Sequence, residues 1–183
     1  MLPIMIDVKG KQVTIIGGGR VAYRKLSVFL GKGAKVTVIS PDVVEQIRLL
    51  HEECRILWIK RKMMPNDLTQ AFIVIAATDK QSVNAQVKAY SKDNQLICVA
   101  DDGDCGNIHM VSYKQKGNLT VAVSTGGASP FLAKKLTDQF FQPFDDAYIE
   151  KIDQISQKRK EIKASDVSDG EKRKRLKELT ERM

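Results

Sequence analysis

The sequence predicts an α/β fold: a doubly wound parallel sheet, then a small β region, then a helical C-terminal part. Three observations predict it. Short β-branched runs alternate with amphipathic helical stretches through the first hundred residues. A glycine run, Gly17-Gly18-Gly19, joins the first strand to the first helix. After about residue 105 the alternation gives way to two short strands with alternating faces, and then to helical periodicity alone. The chain has 183 residues, 43% hydrophobic and 28% charged, which suits one substantial core with room for a smaller appendage and excludes two large domains.

Gln12-Val13-Thr14-Ile15-Ile16 is the first strand, and Ala22, Leu26, Phe29 and Leu30 line one face of a helix opening at Arg20. Gly31 and Gly33 stop that helix, and Lys35-Val36-Thr37-Val38-Ile39 completes a βαβ unit. Pro41 marks the start of the next helix, whose stripe is Val43, Val44, Ile47 and Leu50. Strands follow at 56–59 and 72–76; the second is apolar throughout, as a central parallel strand covered on both faces must be. A polar helix over 81–93 leads to a fifth strand at 95–99. Residues 108–113 and 119–123 pair as antiparallel strands around a turn at Gly117. Ser129-Pro130 supplies an N-cap and a first helical residue, with Leu132, Leu136 and Phe140 on one face of the helix. Residues 150–183 hold 19 charged side chains, yet Ile149, Ile152, Ile155, Leu176 and Leu179 keep a helical stripe. Two amphipathic helices around a loop at 165–170 are therefore expected rather than disorder.

The net charge of +8 raises the question of a polyanionic partner. Residues 150–183 carry +3 of it and the rest is spread over the chain without basic-aromatic interleaving, which argues against nucleic acid. No apolar run approaches the roughly 18–20 residues of a membrane span. The N-terminus lacks a basic region followed by an apolar stretch, so a cytoplasmic protein is expected. Cys54, Cys98 and Cys105 form no CxxC pair, which fits a reducing compartment and excludes a disulfide framework or zinc ribbon. His51 and His109 lack ligand spacing, and no metal site is expected.

Gly17-Gly18-Gly19-Arg20-Val21-Ala22 has the G-x-G-x-x-G/A form in its confirming context, between a strand and a helix of a βαβ unit. Gly17 permits the sharp turn off the strand, and Gly19 lets a pyrophosphate approach the backbone at the helix N-terminus. A cofactor ribose would meet Ser40, Pro41 and Asp42 after the second strand; no Arg or Lys follows directly to hold a 2′-phosphate, so the sequence favours NAD. Asp42 would equally favour the N-terminus of the following helix. Thr78 and Asp79, after the small residues Ala76 and Ala77, face a cofactor or cap the next helix, on which Asn84 sits. Asp101, Asp102 and Asp104 cluster where open sheets bind ligands; mutual repulsion suits one of them to act as a general base, and an Asx-rich turn is the plainer alternative. Ser124, Thr125, Gly126, Gly127 and Ser129 precede a helix N-terminus, where amides and hydroxyls suit a substrate carboxylate. A glycine turn with a capping serine explains only part of that segment.

Taken together, Val13 to Gly19, Val21-Ala22 with Arg24-Lys25, Ala76-Ala77-Thr78-Asp79, Val83-Asn84, Asp101-Asp102 and Ser124-Thr125-Gly126-Gly127-Ala128-Ser129-Pro130 resemble the precorrin-2 dehydrogenase family. That family includes free-standing sirohydrochlorin-forming enzymes and the N-terminal part of siroheme synthase. The resemblance covers residues 2–140, and the chain's length resembles the free-standing form. It implies NAD-dependent dehydrogenation of precorrin-2, a tetrapyrrole, to sirohydrochlorin; some relatives of the family also insert iron, and dehydrogenation alone is expected here. It also implies a Rossmann-type domain over 1–112, a small β dimerisation region over 113–145, a helical region over 146–183, and a homodimer. The family's catalytic aspartate carries over to Asp101, with Asp102 as the alternative, and its cofactor contacts to Arg20, Val21, Pro41 and Asp42. Cys98 and Val111 depart from the family's common asparagine and proline. A dinucleotide and a carboxylate-rich tetrapyrrole would give the diffuse positive charge a purpose. A rival reading, a non-catalytic NAD-sensing module, explains the glycines but neither the STGGASP segment nor the carboxylates.

Overall fold

Five short runs dominated by β-branched and apolar side chains form one parallel sheet: β1 (Gln12–Ile16), β2 (Lys35–Ile39), β3 (Leu57–Ile59), β4 (Ile73–Ala76) and β5 (Leu96–Val99). Their spatial order is β3-β2-β1-β4-β5, so the winding direction reverses between β1 and β4. The computed structural model describes residues 1–100 and 105–181. It divides into two compact units, Met1–Met110 and Val111–Met183.

In the first unit the period of two along each strand sends alternate side chains to opposite faces. Val13, Ile15, Val36, Val38, Ile73 and Ile75 pack with Ala22, Leu26 and Phe29 of α1 (Arg20–Gly31) and Ile47 of α2 (Glu45–Glu52). Ile16, Ile39, Val74, Ala76, Ile97 and Val99 face the other way, against Val87 of α3 (Gln81–Tyr90) and Leu68 of a short 3-10 turn, Pro65–Leu68. All four residues of β4 are buried, the burial on both faces that its apolar run predicts. Pro41 does not open α2. The Val44 amide donates to the Gly18 carbonyl at 2.8 Å, which keeps residues 41–44 against the glycine turn until Glu45 begins the helix.

The second unit begins later than the periodicity suggests. Its hairpin pairs β6 (Ser112–Lys116) with β7 (Leu119–Val123) around Gly117, whose φ is +54°. Residues 108–110 stay with the first unit: the Asn107 side chain accepts from the Ile97 amide at 2.6 Å and donates to the Gln95 carbonyl at 2.7 Å, while Ile108 and Met110 pack on the sheet's core. Helix α4 (Pro130–Phe141) starts at Ser129, whose Oγ accepts from the Leu132 amide at 3.2 Å. The expected face of Leu132, Leu136 and Phe140 is not the one it buries. Ala133 and Thr137 are buried, and Thr137 Oγ1 lies 2.8 Å from the Ala133 carbonyl and 3.0 Å from Ser112 Oγ of β6. Small residues let the helix approach, which leaves Leu132 46% and Phe140 59% exposed. Helices α5 (Asp146–Ala164) and α6 (Asp169–Glu181) pack together around the expected loop.

Candidate functional site

At the carboxyl edge of the sheet, where the winding reverses, lies a cleft of about 820 Å³. The ends of β1, β2 and β4 supply most of its wall, as an open α/β sheet requires at its switch point. The β1–α1 turn contributes residues 17–21, and the end of β2 contributes Ile39, Ser40, Pro41 and Asp42. Residues 77–80 enter from β4, with Val83 and Gln86 of α3 behind them.

The three glycines meet different constraints. Gly17 has φ +117°, and a Cβ there would stand 2.2 Å from the Ala77 carbonyl oxygen, so the two central strands leave no room for a side chain. A Cβ on Gly18 would stand 2.1 Å from the Asp42 carbonyl oxygen. Gly19 has φ −82° and ψ −174°, a conformation open to any residue, and its Cβ would meet nothing within 4 Å. It is the N-cap of α1 without a side-chain cap, in a turn that lines the cleft. Uncapped helix amides beside empty space form a cradle for an anion, and a dinucleotide pyrophosphate fits it.

Thr78 and Asn84 hold the opposite wall. Thr78 Oγ1 donates to Asn84 Oδ1 at 2.8 Å, and Asn84 Nδ2 donates to the Thr78 carbonyl at 3.1 Å. Asn84 is buried, so the amide spends its capacity on the Thr78 loop. At the rim, the Trp58 indole N–H donates to the Ser40 carbonyl at 3.0 Å.

All eight residues expected to meet the cofactor, namely Gly17, Gly19, Arg20, Val21, Ser40, Pro41, Asp42 and Thr78, line this one cleft. Lys62 and Met63 also line it, and sequence reading missed both because they arrive from the connection after β3, where no motif announces them. Lys62 shows that a cation does reach this cleft, although none follows β2 directly. Arg61 and Asp67 close the same connection: two guanidinium-carboxylate bonds of 2.7 Å join them, and Asp67 Oδ2 also accepts from the Met64 amide at 2.7 Å. The bonds from Arg61 hold the Asp67 carboxyl below its ordinary range against the opposing effect of burial, and the Met64 amide adds to them.

Asp101 and Asp102 lie outside the described residues. Ser124, Thr125, Gly126, Gly127 and Ser129 belong to the second unit. Gly126 and Gly127 have φ of +61° and +90°; Thr125 Oγ1 donates to the Ser129 carbonyl and accepts from the Ser129 amide, both at 3.1 Å, and Ser124 Oγ accepts from the Gly126 amide at 3.2 Å. These local hydrogen bonds give the turn its shape ahead of the α4 N-terminus. Among the described residues, no three His, Cys, Asp or Glu side chains are grouped to hold a metal ion, and no helix is long and apolar enough to cross a membrane.

Residues 4–112 match a family described as putative NAD(P)-binding, and residues 116–139 match one described as sirohaem biosynthesis protein central. The chain is 37% identical to the precorrin-2 dehydrogenase of Bacillus subtilis (strain 168) over 160 residues, 87% of this chain and 99% of that one. It is 32% identical to the precorrin-2 dehydrogenase of Priestia megaterium, over 98% of this chain and 89% of that one. The siroheme synthase of Zymomonas mobilis matches at 30% identity over 75% of this chain but only 30% of its own length. Among solved structures, SirC, a precorrin-2 dehydrogenase, superposes with a TM-score of 0.82 at 32% identity, covering 98% of this chain and 89% of that one. With likeness of sequence and fold running along nearly the whole of the two precorrin-2 dehydrogenases and of SirC, the chain belongs to the precorrin-2 dehydrogenase family.

Proposed function

We propose that this protein oxidises precorrin-2 to sirohydrochlorin with NAD as hydride acceptor, in siroheme biosynthesis. The observation that carries the reading is the cleft: an open, uncapped α1 N-terminus at the switch point of a chain aligned over 99% of a precorrin-2 dehydrogenase. The amides of Gly19, Arg20 and Val21 would hold the pyrophosphate, with Gly17 giving the turn its shape. Ser40, Pro41 and Asp42 would receive the adenosine ribose, and Thr78 would border the nicotinamide half. NAD supplies the hydride-accepting carbon, so the protein's task is to orient substrate and take up a proton. One substrate molecule loses a hydride and a proton and yields one NADH. Asp101 is assigned as the general base, with Asp102 next in line, and residues 124–129 as the holder of substrate carboxylates.

The same reading divides the chain into a Rossmann-type domain over 1–112, a dimerisation region over 113–145 and a helical region over 146–183, in a cytoplasmic homodimer. Support for self-association comes from the apolar side chains that α4 leaves outward: Phe131 is 89% exposed, beside Leu132 and Phe140. Iron insertion is not assigned to it. The test follows NADH absorbance with freshly made precorrin-2, with and without iron. One NADH per sirohydrochlorin, lost in Asp101→Ala with NADH affinity retained, is the expected result. NADH binding without turnover would refute the dehydrogenase reading, and full activity in both Asp101→Ala and Asp102→Ala would refute the assignment of the base.

A further inference from the structure

The connection between β3 and β4 reaches the cleft with residues that no motif marks, and it does so from a stretch with little regular structure of its own. Between Lys60 and Ala71 the chain forms only the short turn Pro65–Leu68, with Met64, Pro65 and Asn66 exposed. Yet Lys62 and Met63 stand in the cleft wall, and Met63 also packs against the core side chains that include Ile16 and Ile39. Burial of Leu68 and packing of Met63 anchor two points of this loop, and polar contacts must set the path of the exposed stretch between them.

Arg61 and Asp67 are placed to do so. Their two parallel bonds close a seven-residue loop; Arg61 Nη1 also donates to the Lys62 carbonyl at 3.0 Å, and Asp67 binds the Met64 amide. The pair thus holds the backbone on both sides of Met63. The Asp67 side chain is 9% exposed and that of Arg61 40%, so the planar fork is shielded on the carboxylate side. The loop's start is fixed as well, because β3 pairs with β2 in the register Ile39↔Ile59 and the Ser40 amide donates to the Ile59 carbonyl at 3.3 Å. Met63 and Lys62 therefore stand beside the end of β2, the position of the adenosine half in a doubly wound nucleotide site.

We propose that the Arg61–Asp67 pair is a positioning device for the dinucleotide: it closes the loop over 61–67 so that Met63 and Lys62 form the adenosine-side wall of the cleft. The inference rests on the reading of the cleft as a dinucleotide site. Neither Arg61 nor Asp67 touches the cofactor in this account; both act through Met63 and Lys62. Loss of the pair weakens cofactor binding and leaves the chemical step alone, since the adenosine half lies away from the transferred hydride.

Trp58, the only tryptophan, is bonded to the Ser40 carbonyl at the cleft's rim and reports on the cofactor by energy transfer to NADH. The experiment titrates NADH into the full-length protein by tryptophan fluorescence and repeats it by calorimetry. It compares wild type with Arg61→Ala, Arg61→Lys, Asp67→Asn and Met63→Ala, and measures kcat and both KM values. Asp67→Asn and Arg61→Ala are expected to raise the Kd for NADH about five- to tenfold. Met63→Ala is expected to match them, and Arg61→Lys to recover only part of the loss, because an ammonium cannot make the forked contact. In all four, kcat at saturating NAD and KM for precorrin-2 stay within about twofold of wild type. A merely structural pair would lower Tm and leave these Kd values unmoved. Unchanged NADH affinity in both Asp67→Asn and Met63→Ala, variants that keep the loop's size or its ion pair, would overturn the proposal while wild-type binding upheld the cleft. Absence of any saturable NADH signal in the wild type would overturn the cleft reading and this inference together.

Discussion

Two alanine substitutions two residues apart separate what the glycine run does for the fold from what it does for the ligand. In Gly17→Ala the new methyl carbon is aimed at the Ala77 carbonyl oxygen, 2.2 Å away, at a φ of +117°. Holding a non-glycine residue in such a conformation costs about 1–3 kcal/mol. Parting β1 from β4 to admit the methyl adds a comparable amount, since the Gly17 amide bonds the Ile39 carbonyl at 3.0 Å and the Ala77 amide bonds Ile16 at 2.8 Å, just beside the clash. The total is roughly 2–6 kcal/mol, or a fall in Tm of the order of 10 °C for a chain of this size. Gly19→Ala meets neither obstacle, because the backbone is already extended and the space is empty. Removing a glycine at a compatible site stabilises by about 0.4–1 kcal/mol, an amount that alanine's poorer standing at an N-cap offsets, so Tm stays close to that of wild type. That methyl instead occupies the approach to the α1 amides, and NADH affinity should drop at least about tenfold, equivalent to 1.4 kcal/mol. Thermal unfolding followed by circular dichroism and NADH titration by calorimetry measure both quantities. The reasoning fails if Gly19→Ala unfolds as early as Gly17→Ala, or if it binds NADH as tightly as wild type.

Other expectations come from single contacts. Asn84→Leu removes a buried amide that both accepts from and donates to the Thr78 segment, and should cost about 1–3 kcal/mol in denaturant unfolding while weakening NADH binding. Asp67 has a folded-state pKa below its ordinary value of 3.8, so the ion pair stabilises fully above that value and its contribution is lost as pH falls through the folded pKa. The stability gap between wild type and Asp67→Asn should accordingly be constant from neutral pH to about 4 and shrink below it; a gap that widens on acidification would contradict the assignment. If the proposed homodimer forms through α4, Phe131→Asp with Phe140→Asp should give a monomer in sedimentation velocity, given how exposed both rings are on α4.

Much of the sheet was legible because period-two and period-3.6 patterns reflect burial directly. The runs at 12–16, 35–39 and 119–123 match strands residue for residue, and β4 shows why an unbroken apolar run reads as a central strand. What escaped depends on contacts distant in sequence. Pro41 looks like a helix start, but the Val44 amide is taken by the Gly18 carbonyl, a contact visible only once β1 and β2 are side by side. Residues 108–110 have strand-like composition, yet Asn107 ties them to β5 before a hairpin can form. The apolar stripe of α4 points away from its own hairpin because Ala133 and Thr137 allow the closer approach. In the site, Gly17, Gly19, Arg20, Val21, residues 40–42 and Thr78 were legible from loop chemistry at strand ends, where a motif and a position coincide. Lys62 and Met63 were not, because their place is set by an ion pair six residues long in sequence and by a strand register. Gly18 was hidden within its own motif, since nothing in sequence says that Asp42 passes 2.1 Å from its missing Cβ.

The strand order β3-β2-β1-β4-β5 also sets a timetable for synthesis. The first strand to leave the ribosome is the innermost, and its pairing partners do not arrive together: Val13 aligns with Val36 on one side and with Ile73 on the other. Translation at about 5–20 residues per second puts roughly 3–12 s between emergence of β1 and of β4. Through that interval the nascent chain carries β1 with one bare hydrogen-bonding edge, flanked by the glycine turn and Val13, Ile15 and Ile16. Cotranslational collapse can therefore complete the β1–β2 half early, but the cleft comes into being only with β4, since its floor is made where Gly17 meets Ala77. Nascent chains arrested before Ala77 would be compact and unable to retain NADH, whereas chains released just beyond α3 would hold both halves of the nucleotide cradle.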